Sequence, residues 1–164
     1  MNFISPQLKN LNLEVYMREA LMEAEASGLN GELPIGAILV VDGQIIARGR
    51  CRQRQQQSRI QHAETEALQQ GGRLLFEQPD SAVLFATLEP CPMCLGTAVT
   101  AHVPHIVYAL HDENTKSRDI VANVPYVKRR MGSYYGGVLE ADSRLLFSRF
   151  APEMLQCIMR GGSR

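Results

Sequence analysis

Apolar side chains near the start of the chain recur with the spacing of an amphipathic helix. Positions three or four residues apart share one helix face. The residues with this spacing are Leu13, Met17, Ala20, Leu21 and Ala24. Gly28 follows them and is a typical helix end. The pattern therefore predicts an amphipathic helix that stops near Gly28.

A second pattern, continuous and β-branched, follows this helix. Residues 35–41 are apolar, and a shorter run occupies residues 44–48 after Asp42 and Gly43. An Asp-Gly pair between two such runs is the strongest short-range indication of a β-hairpin. We therefore expect two antiparallel strands joined by a tight turn.

Beyond a polar segment that predicts a loop at 53–61, helical and strand-like patterns alternate. Short apolar runs predict strands at 82–87, 106–110 and 138–141. Helical spacing predicts helices at 62–70, 91–102, 121–130 and 144–159. Gly71 and Gly72 are expected to end the first of these helices, Pro125 to start or break the third, and Pro152 to interrupt the last. The alternation implies a layered α/β fold with helices on both sides of a mixed sheet. The hairpin would form an antiparallel edge, and the later crossovers would make the other strands parallel.

Length and composition are those of one soluble globular domain, which we expect to span residues 1–164. Hydrophobic residues make up 45% of the chain and charged residues 21%. No apolar run approaches the roughly 20 residues that cross a bilayer, and the first residues do not resemble a secretory signal. We therefore expect a cytoplasmic protein with no membrane partner. The 17 basic and 17 acidic side chains cancel, which argues against a strong sequence-independent affinity for nucleic acid.

Two short motifs carry the chemistry. His62-Ala63-Glu64 is followed by Pro90-Cys91-Pro92-Met93-Cys94. His62, Cys91 and Cys94 are three good zinc ligands, and three protein ligands leave the fourth tetrahedral position open for water, as in catalytic sites. A His-x-Glu motif followed by Pro-Cys-x-x-Cys is typical of zinc deaminases that act on nucleobases. The sequence thus predicts one Zn²⁺ per chain.

The removal of an aromatic amine by water needs a nucleophile and a proton carrier. Zinc lowers the pKa of bound water to about 7. Glu64 is the candidate that takes the water proton as a general base and returns it to the ring and the leaving amine as a general acid. Free backbone amides at a helix start near Cys91 can stabilise negative charge on the attacking oxygen.

Other interpretations of the same residues remain open. The two cysteines alone are compatible with a redox or metal-binding module that lacks hydrolytic activity. A closed structural zinc site would need a fourth ligand, for which Cys51, His102 and His105 are the nearest choices in sequence. Cys157 is expected to be a small core residue. The basic run 128–130 is typical of a solvated helix end, with phosphate binding as the alternative.

At these motifs the chain resembles the cytidine deaminase-like superfamily. The resemblance runs from about residue 15 to residue 110 and includes the segments 16–21, 34–37 and 87–91, which are similar to bacterial tRNA adenosine deaminases and fungal cytosine deaminases. It implies a three-layer α/β/α fold with a five-stranded mixed sheet and a homodimer. It also implies that His62, Cys91 and Cys94 bind zinc, that Glu64 shuttles protons and that the backbone amide of Cys91 helps to bind the hydrated intermediate.

Two departures from the family bear on the substrate. The relatives usually place an Asn that binds the base eleven residues before the zinc His, where this chain has Cys51, and the chain has no Trp. The missing Asn, the neutral charge and the His62–Cys91 spacing favour a small substrate resembling a free nucleobase, of the cytosine or guanine type, whereas the missing Trp leaves the identity of the ring open. Deamination of adenosine in a tRNA anticodon loop is the alternative, favoured by the amino-terminal third. Expected substrate contacts are Cys51, Ala63, Pro90 and Asp112, with residues 114–135 and the last helix at the entrance.

Overall fold

The Asp42-Gly43 turn joins the two strands that form one edge of a five-stranded sheet. The structure, a computed structural model, describes residues 2–161. Strand β1 (Gly36–Val41) pairs antiparallel with β2 (Gln44–Arg50). Asp42 and Gly43 both have positive φ, at 47° and 76°, as a tight hairpin turn of the right twist requires. The predicted hairpin is confirmed.

The remaining three strands complete the sheet in the order β2-β1-β3-β4-β5. They are β3 (Ala82–Leu88), β4 (His105–Leu110) and β5 (Ser133–Gly136). β3, β4 and β5 are mutually parallel, whereas β3 pairs antiparallel with β1. The expectation of parallel pairing throughout this part of the sheet is therefore wrong at β3. β3 runs in the same direction as β2, but it pairs with β1 rather than with β2.

Helices cover both faces of this sheet. They are α1 (Pro6–Lys9), α2 (Leu13–Leu29), α3 (Ala63–Glu77), α4 (Pro92–Thr100), α5 (Ser117–Asn123), α6 (Pro125–Lys128), α7 (Glu140–Phe150) and α8 (Pro152–Arg160). A short 3₁₀ turn, Pro79–Ser81, precedes β3. The three-layer α/β/α class is confirmed. Within residues 2–161, none of the helices combines the length and the apolar character that a membrane crossing requires.

Alternate residues of the central strands form two separate cores, as the period of two in a strand requires. On β3, Phe85 packs with α1 and α2, and Leu84 packs with α3 and α4. The core that contains Leu84 also contains Val121 of α5 and Ile158 of α8. Both faces of β3 and β4 are buried, which explains their continuous apolar sequence.

Helix α3 is longer than the sequence predicts. Gly71 and Gly72 do not end it, since it continues to Glu77 through a kink at Gly72, where φ is 29° and ψ is −107°. The helix continues because Leu75, beyond the glycines, is buried in the core. A Cβ at Gly71 would collide with the side chain of Leu39, so this glycine permits close packing on the sheet.

The last strand lies five residues before its predicted position. The segment 138–141 is not a strand, because Leu139 adopts a left-handed conformation and α7 begins at Glu140. Val138 is apolar because it packs in the core as the chain turns. The paired segment is 133–136, where Tyr134 is completely buried against β4.

Prolines set the helix boundaries in the second half of the chain. Pro125 starts α6 instead of lying inside one helix at 121–130, and Pro152 starts α8 after a break at Ala151. The expected interruption is thus confirmed. The expectation that Cys157 is a core residue is wrong, because this side chain lies on the exposed face of α8, where Ile158 instead supplies the buried contact.

Gly49 sets the distance between β2 and the start of α3. A Cβ at this position would collide with the carbonyl oxygen of Ala63 and come within 2.7 Å of the backbone nitrogen of Ala67. We expect Gly49→Ala to lower the free energy of unfolding by about 1–3 kcal/mol, as overpacking does. Urea denaturation measures this change.

Gly96→Ala is the matched control. Gly96 lies within α4 and a Cβ there would meet no atom within 4 Å. This variant should be as stable as the wild type or gain up to about 1 kcal/mol from helix propensity. A Gly49→Ala protein with undiminished stability would contradict the close approach of β2 and α3.

Candidate active site

His62 lies at the amino end of α3. It is the N-cap residue, with extended backbone angles of φ −89° and ψ 159°. The hydroxyl of Thr65 accepts a hydrogen bond from the His62 amide at 3.1 Å. This local capping fixes the His62 backbone where the loop meets the helix.

Cys91 and Cys94 occupy the corresponding place on the next helix. Cys91 is the N-cap of α4, Pro92 is at the first position, and Cys94 lies in the first turn. Proline is favoured at this position because its fixed φ suits the helix and its missing N–H would have no partner. The two sulfurs are 3.6 Å apart on one side of the helix end.

The two helix ends converge so that three potential ligands share one small volume. The Nδ1 atom of His62 is 3.7 Å from the Cys91 sulfur and 3.4 Å from the Cys94 sulfur. Among residues 2–161 these three form a group of side chains that can hold a metal ion. His102 and His105 are not in this group. They lie near the far end of α4 and at the start of β4, where His105 is 3.0 Å from the Ser133 hydroxyl.

Ionisation in the group favours a thiolate. The pKa of Cys91 is lowered to about 4, chiefly by its hydrogen bond with Cys94 and also by His62. The hydrogen bond with Cys91 raises the pKa of His62 above its usual value. Both effects come from the close approach of the three side chains, and a thiolate is the form that binds metals.

Glu64 is the buried carboxyl group of the site. It lies in the first turn of α3, only 3% exposed. Burial raises its pKa above the usual value. Its Oε2 atom has no hydrogen-bond partner among the described residues. A carboxyl group with a raised pKa and an unpartnered oxygen beside a cavity is suited to proton transfer.

The group opens into a cavity of about 710 Å³ at the carboxyl ends of β3 and β4. This volume lies within the range of small-molecule sites. His62, Glu64 and Cys91 form its floor, and Met154 of α8 and the segment around Asn114 contribute walls. Asn114 and Met154 belong to the segment 114–135 and to the last helix, which the sequence predicts at the entrance; their place at the entrance itself stays a prediction.

The predicted substrate contacts divide into two groups. Cys51, Ala63 and Asp112 line the cavity. Pro90 is buried and is not one of the cavity-lining residues within residues 2–161. Burial is the largest effect on the pKa of the Cys51 thiol, which is raised, so Cys51 presents a neutral S–H group.

Sequence reasoning missed the ion pair that holds one wall. Glu89, with a completely buried side chain, contacts Arg118 at 2.7 Å and accepts the backbone amides of Asp112 and Arg118. Asp112 in turn accepts the amides of Asn114 and Thr115. The position of Glu89 directly before Pro90 and Cys91 was the available indication. The pair fixes segment 112–118 beside the ligand group.

The polar segment 53–61 forms the opposite wall. It is a loop, as predicted, and a buried carboxylate from the segment between α2 and β1 anchors it. Glu32 accepts the backbone amides of Arg54 and Gln55 at 3.1 and 2.7 Å. The side-chain amide of Gln53 contacts the Nε2 atom of His62 at 2.8 Å. The loop is therefore tied both to the protein body and to a ligand side chain.

Comparison with known proteins identifies the family of the chain and the class of reaction. The model of the MafB19-like deaminase family matches residues 11–140. The chain belongs to this family. Membership confirms the predicted cytidine deaminase-like superfamily, and the protein is a hydrolytic deaminase that acts on a ring amino group.

Individual relatives narrow the comparison. The chain is 35% identical over 144 residues to a tRNA-specific adenosine deaminase of Bacillus subtilis, which covers 86% of this chain and 89% of the relative. A solved structure from a study of A-to-I editing by tRNA:A34 deaminases matches 80% of this chain and 98% of its own, with 30% identity and a TM-score of 0.67. The guanine deaminase of Bacillus subtilis matches 67% of this chain and 70% of its own, with 32% identity and a TM-score of 0.56.

These relatives correct the predicted substrate class. The similarity to tRNA adenosine deaminases extends over more of both chains than the similarity to guanine deaminase. The preference for a small free base, and for a small-molecule partner over tRNA, is therefore wrong. Neutral net charge misled the prediction because it averages over the chain and does not show how charge is distributed at the cavity.

The Glu32 anchor generates a testable prediction. Glu32→Ala removes the acceptor of two charge-assisted hydrogen bonds, each of which contributes about 1.5–3 kcal/mol. We expect the amides of Arg54 and Gln55 to exchange with solvent more than tenfold faster, which hydrogen-exchange mass spectrometry of segment 53–61 measures.

Glu25→Ala serves as the control, since Glu25 forms an exposed ion pair with Arg149 and does not contact the loop. Its loop exchange should match that of the wild type. Unchanged exchange in Glu32→Ala would show that the loop is held by other contacts.

Proposed function

We propose that this protein is a zinc-dependent tRNA adenosine deaminase that converts adenosine to inosine and releases ammonia. The observation that carries the substrate is the similarity to the Bacillus subtilis tRNA-specific adenosine deaminase over most of both chains. The observation that carries the chemistry is the convergence of His62, Cys91 and Cys94 beside the buried Glu64.

The spacing of the three ligand atoms supports zinc. Zinc–sulfur bonds of about 2.3 Å and zinc–nitrogen bonds of about 2.0–2.1 Å in a tetrahedron place two sulfurs about 3.8 Å apart, and sulfur and nitrogen about 3.6 Å apart. The distances here are 3.6 Å between the sulfurs, and 3.7 and 3.4 Å from them to Nδ1 of His62. All three agree to about 0.2 Å. When bound, zinc lowers the pKa of a water molecule to about 7.

Glu64 carries the protons in this proposal. Glu64 lines the cavity beside the ligand group, and its buried Oε2 has no hydrogen-bond partner among the described residues. The carboxylate accepts one proton from the attacking water as the water oxygen bonds to the ring carbon, and delivers this proton to the adjacent ring nitrogen. It then takes the remaining proton of the added hydroxyl and passes it to the leaving amine. The carbon–nitrogen bond breaks as ammonia departs, and the carbonyl of inosine remains. The raised pKa of Glu64 suits both directions of transfer.

Further residues of the chain support the reaction. We assign to the backbone amide of Cys91, at the start of α4, the stabilisation of negative charge on the attacking oxygen, a role that amides at helix ends can fill. Ala63 and Asp112 form apolar and polar parts of the cavity wall. Cys51 offers the base a thiol, which is a weak donor and a weak acceptor compared with an amide.

The mouth of the cavity suits a flipped nucleotide. A base in folded RNA reaches a buried site by rotating out of its stack, and its flanking phosphates then lie at the entrance. Arg54 and Arg59 lie on the wall loop, exposed and without an ion-pair partner among residues 2–161. Their positive charge supports the binding of phosphates there.

The proposed roles separate metal binding from proton transfer. Glu64→Ala should keep one zinc per chain and lower turnover by about 10²–10⁴-fold or more, the usual contribution of a general acid–base group. The assay is inosine formation in a tRNA that carries adenosine at the wobble position, together with metal analysis of the purified protein.

His62→Ala is the contrasting variant, because it removes a ligand and should lose both the metal and turnover. Near wild-type rates in Glu64→Ala would remove Glu64 from the mechanism. A zinc-loaded wild type that forms no inosine in such a tRNA would overturn the proposed substrate.

A further inference from the structure

Three consecutive basic residues at and directly after the end of α6 lack acidic partners among the residues that the structure describes. Lys128, Arg129 and Arg130 make no ion pair with any carboxylate in residues 2–161, whereas most other arginines in that range do. Lys128 and Arg129 are exposed, and Arg130 is half-buried. The neutral net charge of the chain therefore leaves a local surface with an excess of positive charge.

A tyrosine organises this surface. The guanidinium groups of Arg129 and Arg130 lie 5.1 and 4.6 Å from the ring centre of Tyr126. Tyr126 is 45% exposed, and its neighbour Val127 is buried and fixes α6 on the core. Cation–π contact orients a guanidinium plane and leaves its N–H edge available. We name these four residues, Tyr126, Lys128, Arg129 and Arg130, the α6 basic cluster.

Arg130 has unused hydrogen-bonding capacity. Its Nε atom is buried and has no hydrogen-bond partner among the described residues. One terminal nitrogen lies 3.5 Å from Nε2 of His102, a long contact. Since a buried donor without a partner is costly, an anion that reached this guanidinium would gain a preformed donor.

The cluster lies at a defined place relative to the cavity. The amide of Gly132 donates to the carbonyl of Pro104 at 2.7 Å, which places the chain after α6 beside the amino end of β4. The cavity lies at the carboxyl end of β4. Six residues of strand span about 20 Å, so the two sites are about this far apart. An RNA whose target nucleotide occupies the cavity continues well beyond it.

We propose that the α6 basic cluster binds the phosphodiester backbone of the substrate RNA about 20 Å from the nucleotide that is deaminated. The inference rests on the proposed function for the identity of the RNA. Arg129 and Arg130 supply planar forks that match phosphate oxygens, Tyr126 holds them in place, and Lys128 adds a mobile charge.

The test is the salt dependence of tRNA binding. Zinc-loaded wild type and Arg129→Gln/Arg130→Gln are titrated with the same tRNA by fluorescence anisotropy between 50 and 200 mM salt, a range in which phosphate contacts are strongly screened. Each lost phosphate contact reduces the slope of log K against log salt by about 0.7–0.9. The double variant should therefore have a slope smaller by about 1.4–1.8 and an unchanged kcat at saturating tRNA.

Arg18→Gln/Arg73→Gln is the charge-matched control. Both arginines are exposed on other helices and form only surface ion pairs, so this variant should keep the wild-type slope. An equal loss of slope in the two double variants would show a general charge effect and overturn the proposal. An unchanged slope in Arg129→Gln/Arg130→Gln would also overturn it, and would assign the cluster to another acidic partner.

Two further measurements separate the causes. Tyr126→Leu removes the ring and should weaken binding about two- to fivefold, whereas Tyr126→Phe keeps the ring and should bind as the wild type does; equal binding by both would contradict the organising role. Inosine formation in the same tRNA tests the proposed function independently. Binding with the predicted slopes but without inosine formation would support RNA binding by the α6 basic cluster and refute the proposed substrate. Inosine formation with unchanged slopes would support the proposed substrate and refute RNA binding by the cluster.

Discussion

The structure depends on the convergence of two helix ends at the carboxyl edge of the central strands. His62 caps α3 and Cys91 caps α4, and both helices lie on the same face of the sheet. The convergence brings one nitrogen and two sulfur atoms within 3.4–3.7 Å of one another. Such proximity of polar side chains is unfavourable unless a shared proton or a cation compensates for it. The close packing of these two helices therefore depends on the chemistry of the site.

The surrounding polar network holds two walls of the cavity beside this arrangement. Glu89 and Arg118 hold segment 112–118, and Glu32 holds loop 53–61. Each carboxylate accepts hydrogen bonds from backbone amides of the irregular segment that forms its wall of the cavity. The walls are thus rigid where they meet the ligand group, and the cavity between them exposes Glu64 to a bound ring while limiting its contact with bulk water.

The sequence predicted those features that have local causes. The hairpin at Asp42-Gly43, the helix starts near His62 and Cys91, and the interruption at Pro152 each depend on a few adjacent residues. Features decided by tertiary contact were not predictable in this way. The local sequence Gly71-Gly72 is typical of a helix end, but α3 continues because Leu75 is buried in the core. Val138 is apolar like a strand residue, but it lies in a turn, where it packs in the core. The partners of Glu89 come from a distant segment, and the uneven distribution of basic residues is invisible in a net charge of zero.

The central claim is that His62, Cys91 and Cys94 hold one metal ion that keeps a solvent position. X-ray absorption at the zinc edge of the purified protein tests it directly, because nitrogen, oxygen and sulfur neighbours differ in distance and scattering. The account predicts one zinc per chain with one imidazole nitrogen at about 2.0–2.1 Å, two sulfurs at about 2.3 Å and one solvent oxygen. A metal surrounded by four protein atoms, or a protein that retains no zinc, would contradict it.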